Sequence, residues 1–347
     1  MSLFDYFRYA PRPRAQFAVA ALSAALAITC MSRAQAQTEQ AEVTVAVQYG
    51  YAYLPVTVAD KLGYFTEAAT ERGQPETRFV IKRISGAASI NDALISNSVD
   101  IGGYGLYGTL TAWQKTQGKI DIKALCALVA GDNGLYVNDP SIKSLADFKP
   151  GDKIAVTAPN SQQAALLQMA AEQAFGQGKA HQMDSLMVAL PHPDAMASLL
   201  NKAGIKGYIG PNPYSYLLDH DERVSKLFDF SKQLNMRMTS GVLATTGKFV
   251  KQNPQLTEAV VAAIAKADDF IRDNPQRAAE LFLASEPSKL TPEQTQDMLA
   301  KVRNEWGIQP SGVMNLAAFM VRTGALKEAP TDWRQVFFDP VAKGEGN

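Results

Sequence analysis

The hydrophobic residues of the chain recur with two alternating spacings from about residue 42 onward. Short apolar runs such as EVTVAV (42–47) and RFVIKRI (78–84) have the length and β-branched content of strands. Between such runs lie longer segments whose apolar residues recur every three or four positions, which is typical of helices. The alternating order predicts βαβ units, and therefore a mainly parallel sheet with right-handed crossovers.

The predicted elements form two α/β blocks and a helical tail. Predicted strands are 42–47, 78–84, 99–101 and 122–129 in the first block and 153–157, 185–189, 208–209 and 224–228 in the second, followed by an extended stretch at 236–246. Predicted helices are 54–64, 89–97, 109–116, 161–175 and 193–201. Three tail helices are predicted to start at Asn253-Pro254, Asn274-Pro275 and Thr291-Pro292, where a capping side chain precedes a Pro at the first helical position. Gln294 completes a capping box with Thr291.

Two α/β blocks predict two lobes with a cleft between them. We expect residues 37–130 and 238–347 to form lobe one, and residues 131–237 to form lobe two. Ligands of open parallel sheets bind beyond the carboxyl ends of the strands. The segments expected at the cleft are therefore 48–53, 85–89, 102–108, 157–162 and 210–214.

The first 36 residues have the pattern of a secretory signal peptide. Three Arg residues at 8, 12 and 14 precede the apolar stretch 15–30, and Ala34-Gln35-Ala36 is a small-residue cleavage site. The apolar stretch is shorter than the roughly 20 residues of a membrane-spanning helix. We expect cleavage after Ala36 and export to the periplasm. The alternative is a lipoprotein anchored through Cys30, although the residues before Cys30 lack the usual Leu and the usual Gly or Ala.

Charge and cysteine content argue against several classes of function. The chain has 34 basic and 34 acidic residues, and removal of residues 1–36 leaves 30 and 33, a net charge near −3. This balance argues against nucleic-acid binding, and 46% hydrophobic residues argue against disorder. Cys126 would be the one remaining cysteine, and we expect it to be a buried strand thiol. With three His residues the chain has little material for a zinc site, and we expect no cofactor.

Enzyme motifs are absent from the sequence or weak. The chain contains no G-x-S-x-G, no H-E-x-x-H and no Walker loop. Residues 103–108 match G-x-G-x-x-G, but they follow a later strand and lack a suitably placed acid, so we interpret them as a loop that lets backbone approach a ligand, or as a plain turn. His181, His192 and His220 lack a metal-binding or catalytic cluster and are interpreted as surface or loop residues.

Two features of the predicted strand-end loops favour ligand binding. Ser161 and Gln162 open a helix, and the free N–H groups at a helix start attract anions, although a helix start without a ligand is the alternative. Five tyrosines also occupy these loops, and we expect about half of their amphipathic rings to line a pocket while the others pack inward. They are Tyr49, Tyr51, Tyr53, Tyr104 and Tyr107.

Several short segments between about residues 42 and 319 match the motifs of one protein family. Each motif alone is too degenerate to identify a family, but their order and spacing together are specific. The segments are ADKLGYF (59–65), GAA (86–88), NSVDIG (97–102), IKSLADFKPG (142–151) with KIAV (153–156), and the helix that precedes Asn274-Pro275. Together they resemble the periplasmic substrate-binding proteins of ABC importers of the nitrate, sulfonate and taurine type, which are similar in turn to the thiamine-pyrimidine synthase fold. The resemblance implies a type II periplasmic binding protein, an α/β fold of two lobes with a ligand cleft between them and a helical C-terminal tail packed on lobe one.

The resemblance also implies a function and a set of ligand contacts. A monomeric protein without enzyme activity would bind a small organic anion (sulfonate-, taurine- or nitrate-like, or an aromatic or pyrimidine compound) and deliver it to a permease and its ATPase in the inner membrane. Together with Tyr51 from the tyrosine cluster, the implied contacts are Gln48, Tyr49, Gly86, Ala87, Ala88, Tyr104, Tyr107, Ser161, Gln162, Asn212, Arg237 and Thr239. Asn212 stands where the family usually has Asp, and the preceding Trp is missing, so the ligand of a relative is not transferred.

Two other functions remain open from the sequence. An enzyme of the same fold could act on a pyrimidine or a menaquinone precursor, although the signal peptide and the lack of a reactive His cluster argue against it. An exported sensor domain, or an uptake component without its own transporter genes, is the second alternative.

Overall fold

The computed structural model describes residues 39–347 apart from residues 85, 132 and 287. The predicted signal peptide, its cleavage site and Cys30 lie outside these residues. Residues 40–347 form one compact unit built on two five-stranded sheets.

Strands and helices follow one another through most of this unit. The strands are β1 (Glu42–Val47), β2 (Arg78–Arg83), β3 (Ile101–Tyr104), β4 (Lys123–Val129), β5 (Asn133–Val137), β6 (Ile154–Val156), β7 (Met187–Ala189), β8 (Gly207–Pro211), β9 (Ser225–Asp229) and β10 (Gly241–Thr245). The helices are α1 (Leu54–Lys61), α2 (Tyr64–Glu71), α3 (Ala87–Ile95), α4 (Leu106–Thr116), α5 (Gln162–Phe175), α6 (His192–Leu200), α7 (Tyr214–Asp219), α8 (Phe230–Gln233), α9 (Gly247–Gln252), α10 (Pro254–Asp273), α11 (Pro275–Ser285), α12 (Pro292–Lys301), α13 (Val313–Arg322) and α14 (Asp339–Ala342). Short 3₁₀ helices lie at Tyr51–Tyr53, Leu145–Asp147, Ala180–Leu186 and Trp333–Val336.

Both sheets are mixed, whereas the sequence predicted mainly parallel sheets. The first has the order β2-β1-β3-β10-β4, in which β1 pairs in parallel with β2 and β3 while β10 runs antiparallel to β3 and β4. The second has the order β7-β6-β8-β5-β9, in which β6 pairs in parallel with β7 and β8 while β5 runs antiparallel to β8 and β9. The antiparallel strands arise because the chain crosses between the sheets twice. Each crossing brings it into the new sheet at the edge where the parallel strands end.

Some element boundaries differ from the sequence prediction for identifiable reasons. Strand β5 was not predicted, because it begins with Asn133-Gly134, residues typical of turns. The predicted helix 54–64 is two helices, since Gly63 has a left-handed φ of 74° and separates α1 from α2. Strand β3 lies two residues later than predicted, α4 begins three residues earlier, and the stretch 236–246 contains the shorter strand β10.

The helical tail begins where the sequence predicts and covers the first sheet. Helices α10, α11 and α12 start at the three predicted Pro residues. Thr291 and Gln294 form the predicted capping box, whereas the Asn253 side chain accepts a hydrogen bond from the backbone N of Gln40 at 2.9 Å. Cys126 is fully buried in β4, as predicted. No helix among the described residues is long and apolar enough to span a membrane.

One acidic side chain in the tail is buried without a hydrogen-bond partner in the described part of the chain. Asp268 lies in α10 with 2% exposure, and neither of its carboxylate oxygens has a hydrogen-bond partner within the described part of the chain. Burial raises the pKa of Asp268 well above its usual value, although Arg272 opposes the shift.

Candidate functional site

The loops at the carboxyl ends of the parallel strands lie at one edge of each sheet. In the first sheet these are the loops after β1, β2 and β3, and in the second sheet they are the loops after β6, β7 and β8. The crossovers leave β4 and enter β5 and β10 at the same edges. The segments predicted to lie at a cleft therefore either follow a strand at one of these two edges or, as 102–108 and 210–214 do, include its last residues.

Gln48 connects two of the loops on the first sheet. Its Oε1 accepts a hydrogen bond from the Gly86 N–H at 3.2 Å, and its Nε2 donates to Tyr53 Oη at 2.9 Å. Gly86 caps α3 with a φ of 90°, which favours glycine. Gln48 thus ties the start of α3 to Tyr53. At this helix start Ala87 is half-buried and Ala88 is exposed.

A partly buried ion pair, which the sequence did not reveal, supports the same loops. Glu286 Oε1 lies 2.8 Å from Arg83 Nη2, and Glu286 Oε2 accepts from the Gly50 N–H at 3.0 Å. Arg83 also donates from Nη1 to the Gln48 carbonyl at 2.6 Å, and its guanidinium lies 5.2 Å from the centre of the Tyr49 ring. Burial raises the pKa of Glu286, while Arg83 and the Gly50 N–H oppose the shift. No short motif links these distant positions.

The start of α5 connects the second sheet to the first. Ser161 is the N-cap of α5, and its Oγ accepts a hydrogen bond from the Ala164 N–H at 3.3 Å. Gln162 donates from Nε2 to the Thr239 carbonyl at 3.2 Å. Its Oε1 is buried, has no hydrogen-bond partner among the described residues, and lies 3.5 Å from where a Cβ on Gly105 would be. Gln162 therefore contacts a crossover and the end of β3 from α5.

The two crossovers are hydrogen-bonded to each other. The Gly131 N–H donates to Ser240 Oγ at 3.1 Å. A Cβ on Gly131 would lie 1.7 Å from Tyr51 Oη, so no larger residue fits there without a shift. Tyr51 is 2% exposed, and its hydroxyl donates to Glu305 Oε2 at 3.0 Å.

Burial divides the five tyrosines of these loops into two groups. Tyr51, Tyr53 and Tyr104 are buried in the core, and burial raises the pKa of Tyr53 and of Tyr104. Tyr49 is 53% exposed and Tyr107, in α4, is half-buried. Tyr51 and Tyr104, which the sequence predicts as ligand contacts, thus have rings that pack inside the fold.

Two cavities flank the crossovers. The first, of about 310 Å³, is lined by Gln162, Gly131 and Arg237 together with apolar side chains of α5 and α8. The second, of about 340 Å³, is lined by Asn212 and by polar residues of α7, β9 and α12. Asn133, at the start of β5, lines both cavities. The predicted contacts Gln162, Arg237 and Asn212 are thus distributed over two cavities.

Three predicted contacts already have partners within the fold. Asn212 Oδ1 accepts from the Ser215 hydroxyl at 2.8 Å, and exposed Arg237 donates to the Asn304 carbonyl at 2.5 Å. The Thr239 side chain is buried and accepts from the Ser311 N–H at 2.9 Å. Thr239 therefore presents its carbonyl, and not its hydroxyl, to Gln162.

His192 belongs to an aromatic cluster at the edge of the second sheet. It is the first residue of α6, its Nδ1 lies 2.7 Å from Tyr208 Oη, and its ring stacks on Tyr214 at 5.2 Å. Burial lowers the pKa of His192 to about 4, so the imidazole is neutral at pH 7. The sequence predicts a surface or loop residue at this position, whereas His192 is half-buried at the start of a helix, and its place shortly after a predicted strand is the signal that indicates the edge of a sheet. Burial raises the pKa of Tyr214, and the carboxylate of Glu286 adds to the shift.

No group of three or more His, Cys, Asp or Glu side chains suited to a metal ion was found in the described ranges. The architecture is that of a type II periplasmic binding protein, with two α/β lobes, a cleft between them and a helical tail packed on lobe one. The chain belongs to the NMT1-like family, whose model matches residues 36–284. A comparison with proteins of curated function found no match.

Solved structures with this fold include three periplasmic binding proteins. The aliphatic sulphonate binding protein SsuA from Escherichia coli is 19% identical with a TM-score of 0.68, over 87% of this chain and 93% of that chain. The alkanesulfonate-binding protein SsuA from Xanthomonas axonopodis pv. citri, solved bound to MOPS, is 17% identical with a TM-score of 0.67, over 88% and 98%. The nitrate-binding protein NrtA from Synechocystis PCC 6803 is 15% identical with a TM-score of 0.58, over 75% and 70%. The resemblance to binding proteins of this type that the sequence indicated is confirmed.

Proposed function

We propose that the chain is the exported solute-binding component of an ABC importer, which binds a small organic anion between its lobes and delivers it to a membrane permease. The observation that supports this most directly is the position of Gln162. It extends from the start of α5 in the second lobe to Gly105 and the Thr239 carbonyl. A ligand held beside Gln162 would touch both lobes, as a closing binding protein requires.

The charge of the ligand is inferred from the helix starts at the cleft. The N-caps of helices α3, α4 and α5 are Gly86, Gly105 and Ser161. Each helix start has N–H groups without intrahelical acceptors and favours negative charge by roughly 0.3–1 kcal/mol. Since the processed chain carries a net charge near −3, long-range attraction does not gather anions, and local donors must hold them. The SsuA neighbours bind sulfonates and the NrtA neighbour binds nitrate, which supports the same class.

The proposed contacts are those of the predicted residues that lie at the cleft edges. They are the backbone around Gly86, Ala87 and Ala88, the rings of Tyr49 and Tyr107, Ser161 and Gln162, with Gln48 as support and Asn212 and Arg237 in the adjoining cavities. The proposed lobes are residues 37–130 with 238–347, and residues 131–237. The crossovers near residues 130 and 240 would be the hinge.

Export belongs to the same proposal. The signal sequence supports cleavage after Ala36 and release of a monomer into the periplasm, where a permease and its ATPase would be the partners. Genes for a permease and an ATPase beside the gene of this protein would favour an importer over a sensor.

The experiment is a thermal-shift screen of small sulfonates, carboxylates and nitrate, followed by small-angle scattering. A ligand at 100 times its Kd should stabilise the protein by about 2.7 kcal/mol, and the radius of gyration should fall on binding. Gln162→Ala should abolish both effects, whereas Gln335→Ala, at an exposed glutamine far along the tail, is the matched control. No stabilisation by any anion, or stabilisation without closure, would contradict the proposal.

A further inference from the structure

We propose that His192 donates a hydrogen bond from Nε2 to an oxygen of the bound anion, and that Tyr208 holds the imidazole in the tautomer that makes this possible. The inference rests on the proposed function, because it requires a ligand between the lobes. His192 would be a ligand contact and Tyr208 a positioning residue.

The tautomer follows from the hydrogen bonding of Tyr208. Its hydroxyl is 2.7 Å from His192 Nδ1, the ring is 1% exposed, and no other hydrogen-bond partner of the hydroxyl occurs in the described residues. If Nδ1 carried the ring proton and donated it, the buried phenolic O–H would have no acceptor, which is unfavourable. Tyr208 therefore donates to Nδ1, and the proton of the neutral ring is on Nε2.

The second nitrogen of this ring is available to a ligand. Among the described residues, His192 Nε2 has no hydrogen-bond partner. It also does not belong to the polar atoms that are buried without a partner. The ring is fixed by stacking on Tyr214, with an angle of 29° between the planes. The Nε2–H thus lies at the carboxyl edge of the second sheet, where ligands of such sheets bind.

The chemistry of this donor selects an oxyanion. The low pKa of His192, about 4, keeps the ring uncharged at neutral pH, so it supplies a directed N–H and not a positive charge. Such a donor fits an oxygen of a sulfonate or a carboxylate, and the stacked ring of Tyr214 is suited to a planar substituent beside that oxygen. The inferred ligand class is therefore an aromatic oxyanion.

The tautomer can be tested without a ligand by long-range ¹⁵N–¹H NMR of the histidine rings in the processed protein. His192→Phe assigns the signal, because His181 and His220 are the only other histidines of the chain. We expect the Nε2–H form in the wild type and a mixture of tautomers in Tyr208→Phe. A predominant Nδ1–H form in the wild type would overturn the inference.

The ligand contact is tested by calorimetry with benzenesulfonate and benzoate. We expect His192→Phe to weaken binding about tenfold, which is 1.4 kcal/mol, and Tyr208→Phe to weaken it threefold or more. The effect of Tyr208→Phe should vanish when His192 is already Phe, which a merely structural role would not produce. His181→Phe, at an exposed position paired with Asp184, is the control and should change nothing.

The possible outcomes separate the two proposals. If either probe binds and closes the lobes but is indifferent to His192→Phe, the role of His192 is wrong and the proposed function stands. If neither probe binds while an aliphatic anion does, the inferred aromatic class is wrong. If no anion of either kind binds, both proposals fail. If His192→Phe weakens the binding of benzenesulfonate alone, the oxyanion is a sulfonate. If it weakens the binding of benzoate alone, the oxyanion is a carboxylate.

Discussion

Replacing Gly131 by Ala should destabilise the fold through a single contact between a crossover and Tyr51. The added Cβ would lie 1.7 Å from Tyr51 Oη and 3.1 Å from Glu305 Oε2. Tyr51 cannot turn toward solvent, because it is 2% exposed and packs edge-on against Trp306 at 5.5 Å. The ring or the crossover must therefore shift.

The loss of stability can be estimated from the interactions that this shift breaks. The hydrogen bond from Tyr51 to the Glu305 carboxylate is of the charged type, for which loss costs about 1.5–3 kcal/mol. Overpacking in a close-packed site adds roughly 1–3 kcal/mol. The lower entropy of Ala in the unfolded chain offsets about 0.4–1 kcal/mol. We expect a net loss of about 3 kcal/mol, a large part of the roughly 5–15 kcal/mol that stabilises a typical domain.

The assay is urea unfolding of the processed protein, with two further variants. Gly307→Ala is the matched control, since a Cβ there meets nothing within 4 Å, and it should change the free energy of unfolding by less than about 0.5 kcal/mol. In a Tyr51→Phe background, where the clashing oxygen is gone and the nearest ring carbon is 3.0 Å away, Gly131→Ala should cost much less. Equal effects of Gly131→Ala and Gly307→Ala, or no relief by Tyr51→Phe, would refute the reasoning.

Three other predictions concern the tail, the core and the N-terminus. Thr291→Ala should lower the free energy of unfolding by about 1 kcal/mol, because it removes the capping box of α12, and thermal unfolding checks this. Asp268 has a raised pKa, so the folded state keeps a proton that the unfolded state releases above about pH 4. Its contribution to stability is thus lost as pH rises toward the raised pKa. Asp268→Asn should therefore stabilise the protein at pH 8 and flatten this pH dependence of the free energy of unfolding. Sequencing of the periplasmic protein should give Gln37 as the first residue, and a lipidated Cys30 would contradict this.

Features fixed by neighbouring residues were predictable from the sequence. The starts of α10, α11 and α12 depend on a cap and a Pro side by side, and Ser161 caps α5 for the same local reason. The class of fold was predictable as well, because the order of the motifs resembles that of a known family. Neither the helix caps nor the motifs require knowledge of which strands pair.

Features that depend on distant residues were not predictable. The direction of β5 and β10 is set by where the chain re-enters each sheet, which no local pattern records. Arg83 and Glu286 meet only after α11 has packed on the first lobe. Tyr49 and Tyr51 are two residues apart, yet one is exposed and the other is buried, because a glycine crossover comes close to Tyr51 alone.

The position of β10 also constrains the order in which the molecule can fold. This strand lies between β3 and β4, yet it follows the whole of the second sheet in the chain. When the growing chain has left the ribosome only as far as β4, the edges of β3 and β4 still lack their partner β10. Unpaired strand edges of this kind can pair with other chains. The pairing spans more than a hundred residues, as from Gly103 to Leu243, so its loop-closure entropy makes it slow. Completion of the first sheet should therefore be the late, rate-limiting event of folding, and the second sheet should acquire protection from hydrogen exchange before it.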